Sequence, residues 1–322
     1  MDLKLQLYRL KERWKRKFHG IKKGNCIVLL YHRVLNIEND PQQLCVSLEI
    51  FEEQLSALKK THVFLKVNEF FEILNSNKAF PKNALLITFD DGYADNFHNA
   101  LPILEKLDLQ ALFFIATARL DSRDMFWWDE LDLIFNLVKK GGADVSSLVS
   151  RYKVETSEDL YQYYLVKCKT SAGLKERNLL MSELRAIVPV DEAVKSHYAF
   201  LSIDELRALS QSRHAVIGGH TVNHLSLGHL PLNEQRHEIL ASVNYLEEIL
   251  QVPIRHFSYP YGERHNFGKE TMNLCHQLGL ESSAANYCDY VDQSTQLFAY
   301  PRFVVRNDSS VVLKDKLQKL IS

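Results

Sequence analysis

The chain has 322 residues, 46% hydrophobic and 25% charged, with a net charge of −1. This is a globular composition, and the length suits one α/β barrel carrying insertions better than one small domain. No run of about 18 apolar residues argues for a membrane-spanning helix, and no apolar stretch near the start predicts a secretory signal. The five cysteines are widely spaced without a CxxC pair, which predicts reduced thiols rather than a disulfide framework or a zinc ribbon.

Charge is unevenly placed. Residues 1–23 hold nine Lys or Arg against Asp2 and Glu12, a sum of +7 that leaves −8 for the rest. Leu3, Leu7, Leu10, Trp14 and Phe18 repeat at helical spacing, predicting a basic amphipathic helix that ends near Gly20. Two readings stand side by side: a helix docked on the barrel, or one lying on an anionic membrane surface. A nucleic-acid arm is disfavoured, because the remainder of the chain is acidic.

In chain order, Asn25–Val34 predicts a buried strand ending at Tyr31-His32. Helices are predicted over Ser47–Lys59 and Val67–Ser76, and a second strong strand over "ALLITFDD". A helix containing Pro102–Lys106 precedes a third strand, Ala111–Thr117. Residues from about 121 to 200 read as a mainly helical insertion opened by "FWWDEL". His214–His220 is a fourth strand and Leu232–Leu250 a long helix. Ile254–Gly262, Leu278–Ala285 and Leu297–Val305 complete the set. Strands alternating with helices imply a parallel sheet. Seven strands of this kind predict a distorted (β/α)7-type barrel within one catalytic domain, 24–322, whose site lies at the C-terminal strand ends. His32, Asp90, Asp91 and His220 all fall at such ends.

Asp90 and Asp91 set two like charges at the end of a dry strand. One would be driven toward protonation unless a cation intervened, and a divalent metal is the economical cation. "HTVNH" supplies His220 and His224, four apart, which on one helical turn would face the same way. Two imidazoles and one carboxylate leave coordination positions open, the layout of a catalytic site. Alternatively, His220 caps a turn and His224 is a satisfied surface histidine.

"TFDDGY", "HTVNH" and "YPYG", in this order, resemble the polysaccharide deacetylases, the NodB homology domain or carbohydrate esterase family 4. The resemblance spans about Gly24 to Val305, with 121–200 as an insertion. "YHRV" and "FWWDEL" look like the branch found with exopolysaccharide and surface-glycan enzymes. The resemblance implies Asp91, His220 and His224 as metal ligands and Asp90 as general base. It places the backbone N–H of Tyr93 at the oxyanion, where Gly92 permits close approach. Two departures stand out. No histidine follows Leu297, and Ser258 occupies the position where an arginine is common. His32 is therefore expected as the general acid and Arg302 as a bidentate partner of Asp90; a backbone-bonded histidine and a structural ion pair are the plainer readings of the two. Tyr259, Pro260 and Tyr261 are expected along the sugar pocket. Of Trp127 and Trp128, one is expected as packing and the other as a lid; Asp129 and Glu130 are expected to cap the helix that follows, with a substrate contact as the alternative.

The resulting expectation is a metal-dependent hydrolase that removes N-acetyl from an amino sugar in surface-polysaccharide or glycolipid biosynthesis. Its ion would be Zn²⁺, with Co²⁺, Ni²⁺ and Fe²⁺ fitting the same ligands. Its substrate would be an N-acetylated sugar, oligosaccharide or lipid-linked glycan. Its place would be cytoplasmic and peripheral on the inner membrane face. A deformylase on a lipid-linked amino sugar and a non-catalytic carbohydrate-binding relative are the alternatives.

Overall fold

The computed structural model describes residues 24–76, 78–122, 124–188, 190 and 198–321; the basic segment 1–23 lies outside them. The strands are β1 (Cys26–Tyr31), β2 (Arg33–Val34), β3 (Cys45–Val46), β4 (Val63–Phe64), β5 (Ala84–Phe89), β6 (Ala111–Ile115), β7 (Ala215–Gly219), β8 (His256–Ser258), β9 (Ser282–Ala284) and β10 (Phe303–Val304). The main sheet runs β10-β1-β5-β6-β7-β8-β9, with β4 also on β5, and its pairings are parallel. At the far edge Ala284 bridges Tyr300 in parallel. The Tyr300–Val304 segment thus touches β9 at one end and β1 at the other, and the sheet curls into a (β/α)7-type barrel.

Why β1 and β5 are buried along their whole length follows from the two-residue period. Ile27, Leu29 and Tyr31 of β1 and Leu85, Ile87 and Phe89 of β5 join the core shared with the outer helices. Cys26 and Val28, with Ala84 and Leu86, belong to a separate inner cluster with Leu112, Phe114, Ala284 and Tyr300. Each large apolar side chain so buried contributes about 1.5–3 kcal/mol. The same alternation sends Thr88 and then Asp90 toward the barrel interior.

The outer layer comprises α1 (Leu48–Lys59), whereas α2 (Val67–Leu74) packs Val67, Phe70, Phe71 and Leu74 into the inner cluster. The outer layer continues with α3 (Leu101–Lys106), then α4 (Trp127–Lys139), α5 (Ser146–Tyr152), α6 (Ser157–Lys169) and α7 (Leu174–Ile187), followed by α8 (Ile203–Gln211), α9 (Leu232–Leu250), α10 (Lys269–Gln277) and α11 (Ser310–Ile321). Helices α4 to α7 form the helical insertion and have their own core, including Trp127, Trp128, Leu131, Tyr161, Tyr164 and Met181. That core meets the barrel at Tyr93, Ala116 and Phe200.

Candidate metal centre and active site

Asp91, His220 and His224 converge at the C-terminal end of the barrel, their ligand atoms all within 4.8 Å of one another. They arrive from two loops. Asp90 and Asp91 follow β5 directly; Asp91 has φ +80° and Gly92 φ +88°. A Cβ at Gly92 would sit 3.2 Å from the Ile115 side chain, so this turn needs glycine for both its dihedral and its clearance. Strain of this kind concentrates around functional centres.

The segment from His220 to His224 is not helical, contrary to the helical spacing argument. It is an irregular turn in which Thr221 (φ +64°) and His224 (φ +51°) adopt left-handed backbone. Neighbours hold it open. Glu238 of α9 accepts from Val222 N (3.0 Å), Asn223 N (2.8 Å) and Asn223 Nδ2 (2.7 Å). From the insertion, buried Arg177 of α7 donates to Asn223 O (2.8 Å) and His224 O (3.2 Å).

The donor set fits a small divalent ion. Asp91 Oδ1 is 3.2 Å from His224 Nε2 and 3.5 Å from His220 Nε2, yet it is a buried oxygen with no hydrogen-bond partner among the described residues. Ligands about 2.0–2.2 Å from a tetrahedral ion stand about 3.3–3.6 Å apart. His220 Nδ1 lies 2.7 Å from Ser258 O. A carbonyl can only accept, so Nδ1 carries the proton and the Nε2 lone pair faces Asp91. Burial is the largest influence on both rings. It pulls the His224 pKa down to about 4, while for His220 the charges of Asp90 and Asp91 outweigh it and raise the value.

Asp90 is bound differently. Arg302, fully buried, donates from Nη1 to Oδ1 and from Nη2 to Oδ2, both at 2.7 Å. Its Nε donates to Ala285 O (2.9 Å) and its Nη2 also to Ser258 Oγ (2.7 Å), which in turn donates to Asp90 Oδ2 (3.2 Å). Burial alone would raise the Asp90 pKa, but the Arg302 guanidinium, then His220, hold it below the usual carboxylate range. The serine standing where an arginine is common is thus part of this clamp, and the arginine comes from β10's approach instead.

His32 is half-buried beyond β1. Its pKa is lowered, burial being the main cause, while Asp91 and Asp90 act to raise it. The backbone N–H of Tyr93 makes no hydrogen bond among the described residues, although its flanks pair with the 199–201 segment through Ala94 N to Ala199 O (2.9 Å) and Leu201 N to Gly92 O (3.1 Å).

Several expected pocket residues fall elsewhere. Tyr259 is 1% exposed, stacks on Phe267 (centroids 4.2 Å apart) and donates to Phe298 O; it is core, not sugar wall. Pro260 is buried, and half-buried Tyr261 lies edge-on to His224 (4.7 Å, 85°). Neither tryptophan is a lid: both are buried, Trp127 donating to Tyr261 OH (3.2 Å) and Trp128 to Tyr93 OH (3.0 Å). Asp129 does not cap α4 but accepts from Tyr93 OH (2.8 Å). Burial raises its pKa to about 7, against the pull of Arg33 and that hydrogen bond. Glu130 takes both arms of Arg185 of α7 at 2.6 Å. Arg33, absent from the sequence expectation, pairs with buried Asp95 (2.9 Å) and lies 4.3 Å from the Tyr93 ring centroid. Its signal was adjacency alone, Arg33 following His32 and Asp95 following the "DDGYA" run.

The parallel barrel thus carries a carboxylate and two imidazoles at its C-terminal mouth, with a clamped second carboxylate beside them. The chain belongs to the polysaccharide deacetylase family: that family's model matches residues 77–150 and 186–283, together just over half of the sequence. The matched ranges include Asp90, Asp91, His220, His224 and Tyr259, but neither His32 nor Arg302. A Staphylococcus aureus poly-beta-1,6-N-acetyl-D-glucosamine N-deacetylase is 30% identical over 126 residues, 35% of this chain and 42% of that one. The chain thus matches less than half the length of such relatives. Among solved structures, Streptococcus pyogenes deacetylase PplD in complex with acetate superposes with a TM-score of 0.60 at 19% identity, covering 93% of this chain and 99% of that one. IcaB from Ammonifex degensii gives 0.60 at 18%, covering 92% and 98%. At these identities the superpositions speak for the fold.

Proposed function

We propose that this protein is a metal-dependent de-N-acetylase acting on an N-acetylated amino-sugar polymer or oligosaccharide. The observation that carries the reading is the pairing of an unpartnered Asp91 oxygen between two histidines with an Asp90 held ionised by Arg302. The S. aureus relative, named for its action on poly-N-acetylglucosamine, supports the substrate class.

Asp91, His220 and His224 would hold a divalent ion, Zn²⁺ by donor preference, whose charge makes the attacking water more acidic and polarises the acetyl carbonyl. Asp90 accepts the proton of that water; its Arg302 clamp keeps it ionised and oriented for the task. The Tyr93 N–H donates to the carbonyl oxygen as negative charge gathers there. The departing nitrogen must gain a proton, and His32, whose protonated form both carboxylates favour, is the group assigned to deliver it. Acetate and the free amine are the products.

The test is amine release from poly-β-1,6-N-acetylglucosamine oligomers and chitooligosaccharides, with and without chelator. Release that stops on chelation and returns with added Zn²⁺ or Co²⁺ is expected; no release from any of them in metal-loaded protein would overturn the reading. We further propose peripheral attachment at the cytoplasmic membrane face through residues 1–20, supported by their charge and apolar spacing. Co-sedimentation with anionic vesicles should fall on deleting them and on raising salt; binding that survives the deletion would place the contact elsewhere.

A further inference from the structure

The two histidines are secured unequally. His220 has Ser258 O on its outer nitrogen. His224 Nδ1 is buried and has no hydrogen-bond partner among the described residues. An imidazole that binds metal ordinarily donates its other N–H to an acceptor that fixes the ring. Rings take over that task here. The centroids of Trp128 and Tyr261 each lie 4.7 Å from that of His224, and Phe126 lies at 5.6 Å.

Packing alone lets a flat ring slide in its own plane, so what matters is what anchors the packing rings. Trp127 Nε1 ties down Tyr261 OH. Trp128 Nε1 donates to Tyr93 OH at 3.0 Å, and Tyr93 OH lies 2.8 Å from Asp129 Oδ2. The direction of this chain is fixed: an indole N–H can only donate, so the phenol oxygen accepts, and the single phenol proton goes to the carboxylate. Every member is buried, Asp129 being 4% exposed. The consecutive residues Phe126, Trp127, Trp128 and Asp129 therefore wall the ring and anchor its walls from the first turn of the insertion.

We propose that Asp129 is a positioning residue for the metal ligand His224, acting through the Tyr93 hydroxyl and the Trp128 indole. This rests on reading Asp91, His220 and His224 as the metal centre. It gives the insertion a role at the metal and makes Asp129 neither a cap nor a substrate contact.

The experiment is titration of the metal-free full chain with Zn²⁺ and Co²⁺, for wild type, Tyr93→Phe, Trp128→Phe, Asp129→Ala and Asp129→Asn, alongside the melting of each metal-free protein. The first three substitutions should weaken binding about 10- to 100-fold, the range for partners that orient a ligand. Asp129→Asn should stay near wild type, since its amide oxygen still accepts the phenol proton. A merely structural network would lower melting temperatures and leave the dissociation constants alone, and that result overturns the proposal. If Asp129→Ala does not fold, Tyr93→Phe, which deletes one oxygen, decides by the same criterion. A wild-type chain that takes up no metal also overturns it. No substrate is needed, so a failure to release amine would count against the proposed reaction and leave this result standing.

Discussion

Arg302 grips both oxygens of Asp90 at 2.7 Å from within a fully buried position. Arg302→Met should leave a buried carboxylate without its cation and destabilise the fold by about 3–5 kcal/mol. The pKa of Asp90 should then rise, so the acid limb of the pH–rate profile moves to higher pH and the activity lost near neutrality returns only at higher pH. Arg302→Lys keeps charge but loses the fork and should fall between. An unmoved acid limb in both variants would remove Asp90 as the base.

The proposed reaction gives the neighbours Asp90 and Asp91 separate duties, and substitution should separate them. Asp90→Asn should retain stoichiometric metal and lose at least about 10²-fold in turnover. His220→Ala should lose the metal itself, as read by elemental analysis of the purified protein. Near-normal turnover in the first, or unchanged metal content in the second, would reverse the assignments.

For His32 the informative comparison is between leaving groups. His32→Ala should retain metal and lose amide hydrolysis far more than hydrolysis of activated aryl esters, whose leaving groups depart without a proton. Equal losses on the two substrates would mark a folding or binding role.

Asp129, with a pKa raised to about 7 by burial, predicts a pH effect on stability. Unfolded, its pKa is about 3.9. Between these values the folded chain holds a proton that the unfolded chain has released. This contribution is complete below pH 4 and is lost as pH rises through about 7. Asp129→Asn cannot titrate, so in metal-free protein its stability relative to wild type should improve by about 1–3 kcal/mol from pH 5 to pH 8. Denaturant melts at the two pH values measure this; parallel curves would show that the carboxyl is ionised throughout.

The barrel was legible because strands covered on both faces are written as uninterrupted apolar runs, as in Cys26–Tyr31 and Ala84–Phe89. Asp90, Asp91, His220 and His224 were legible because charge has no cause to stand at such strand ends. The turn from His220 to His224 was not. Left-handed backbone is usually signalled by glycine, and here Thr221 adopts it, held in a turn that residues far along the chain secure. Tyr259 and Tyr261, two apart, read alike in sequence, but Tyr259 follows the alternation of β8 into the core with Phe257, whereas Tyr261 takes left-handed backbone (φ +61°) and leaves that face. Asp129 looked like a helix cap because its position fits one; its actual partner, Tyr93, is 36 residues away and belongs to another layer.

Asp90 and Arg302 are 212 residues apart in sequence. At ~5–20 residues per second of synthesis, Asp90 would wait roughly 10–40 s for its cation. During that interval Asp90 lacks the guanidinium that clamps it in the finished barrel, and the seam beside β1 stands open. The stretch that finishes the barrel wall is the one that brings Arg302. A nascent or clipped chain ending short of Arg302 can therefore neither pair β1 with β10 nor clamp Asp90.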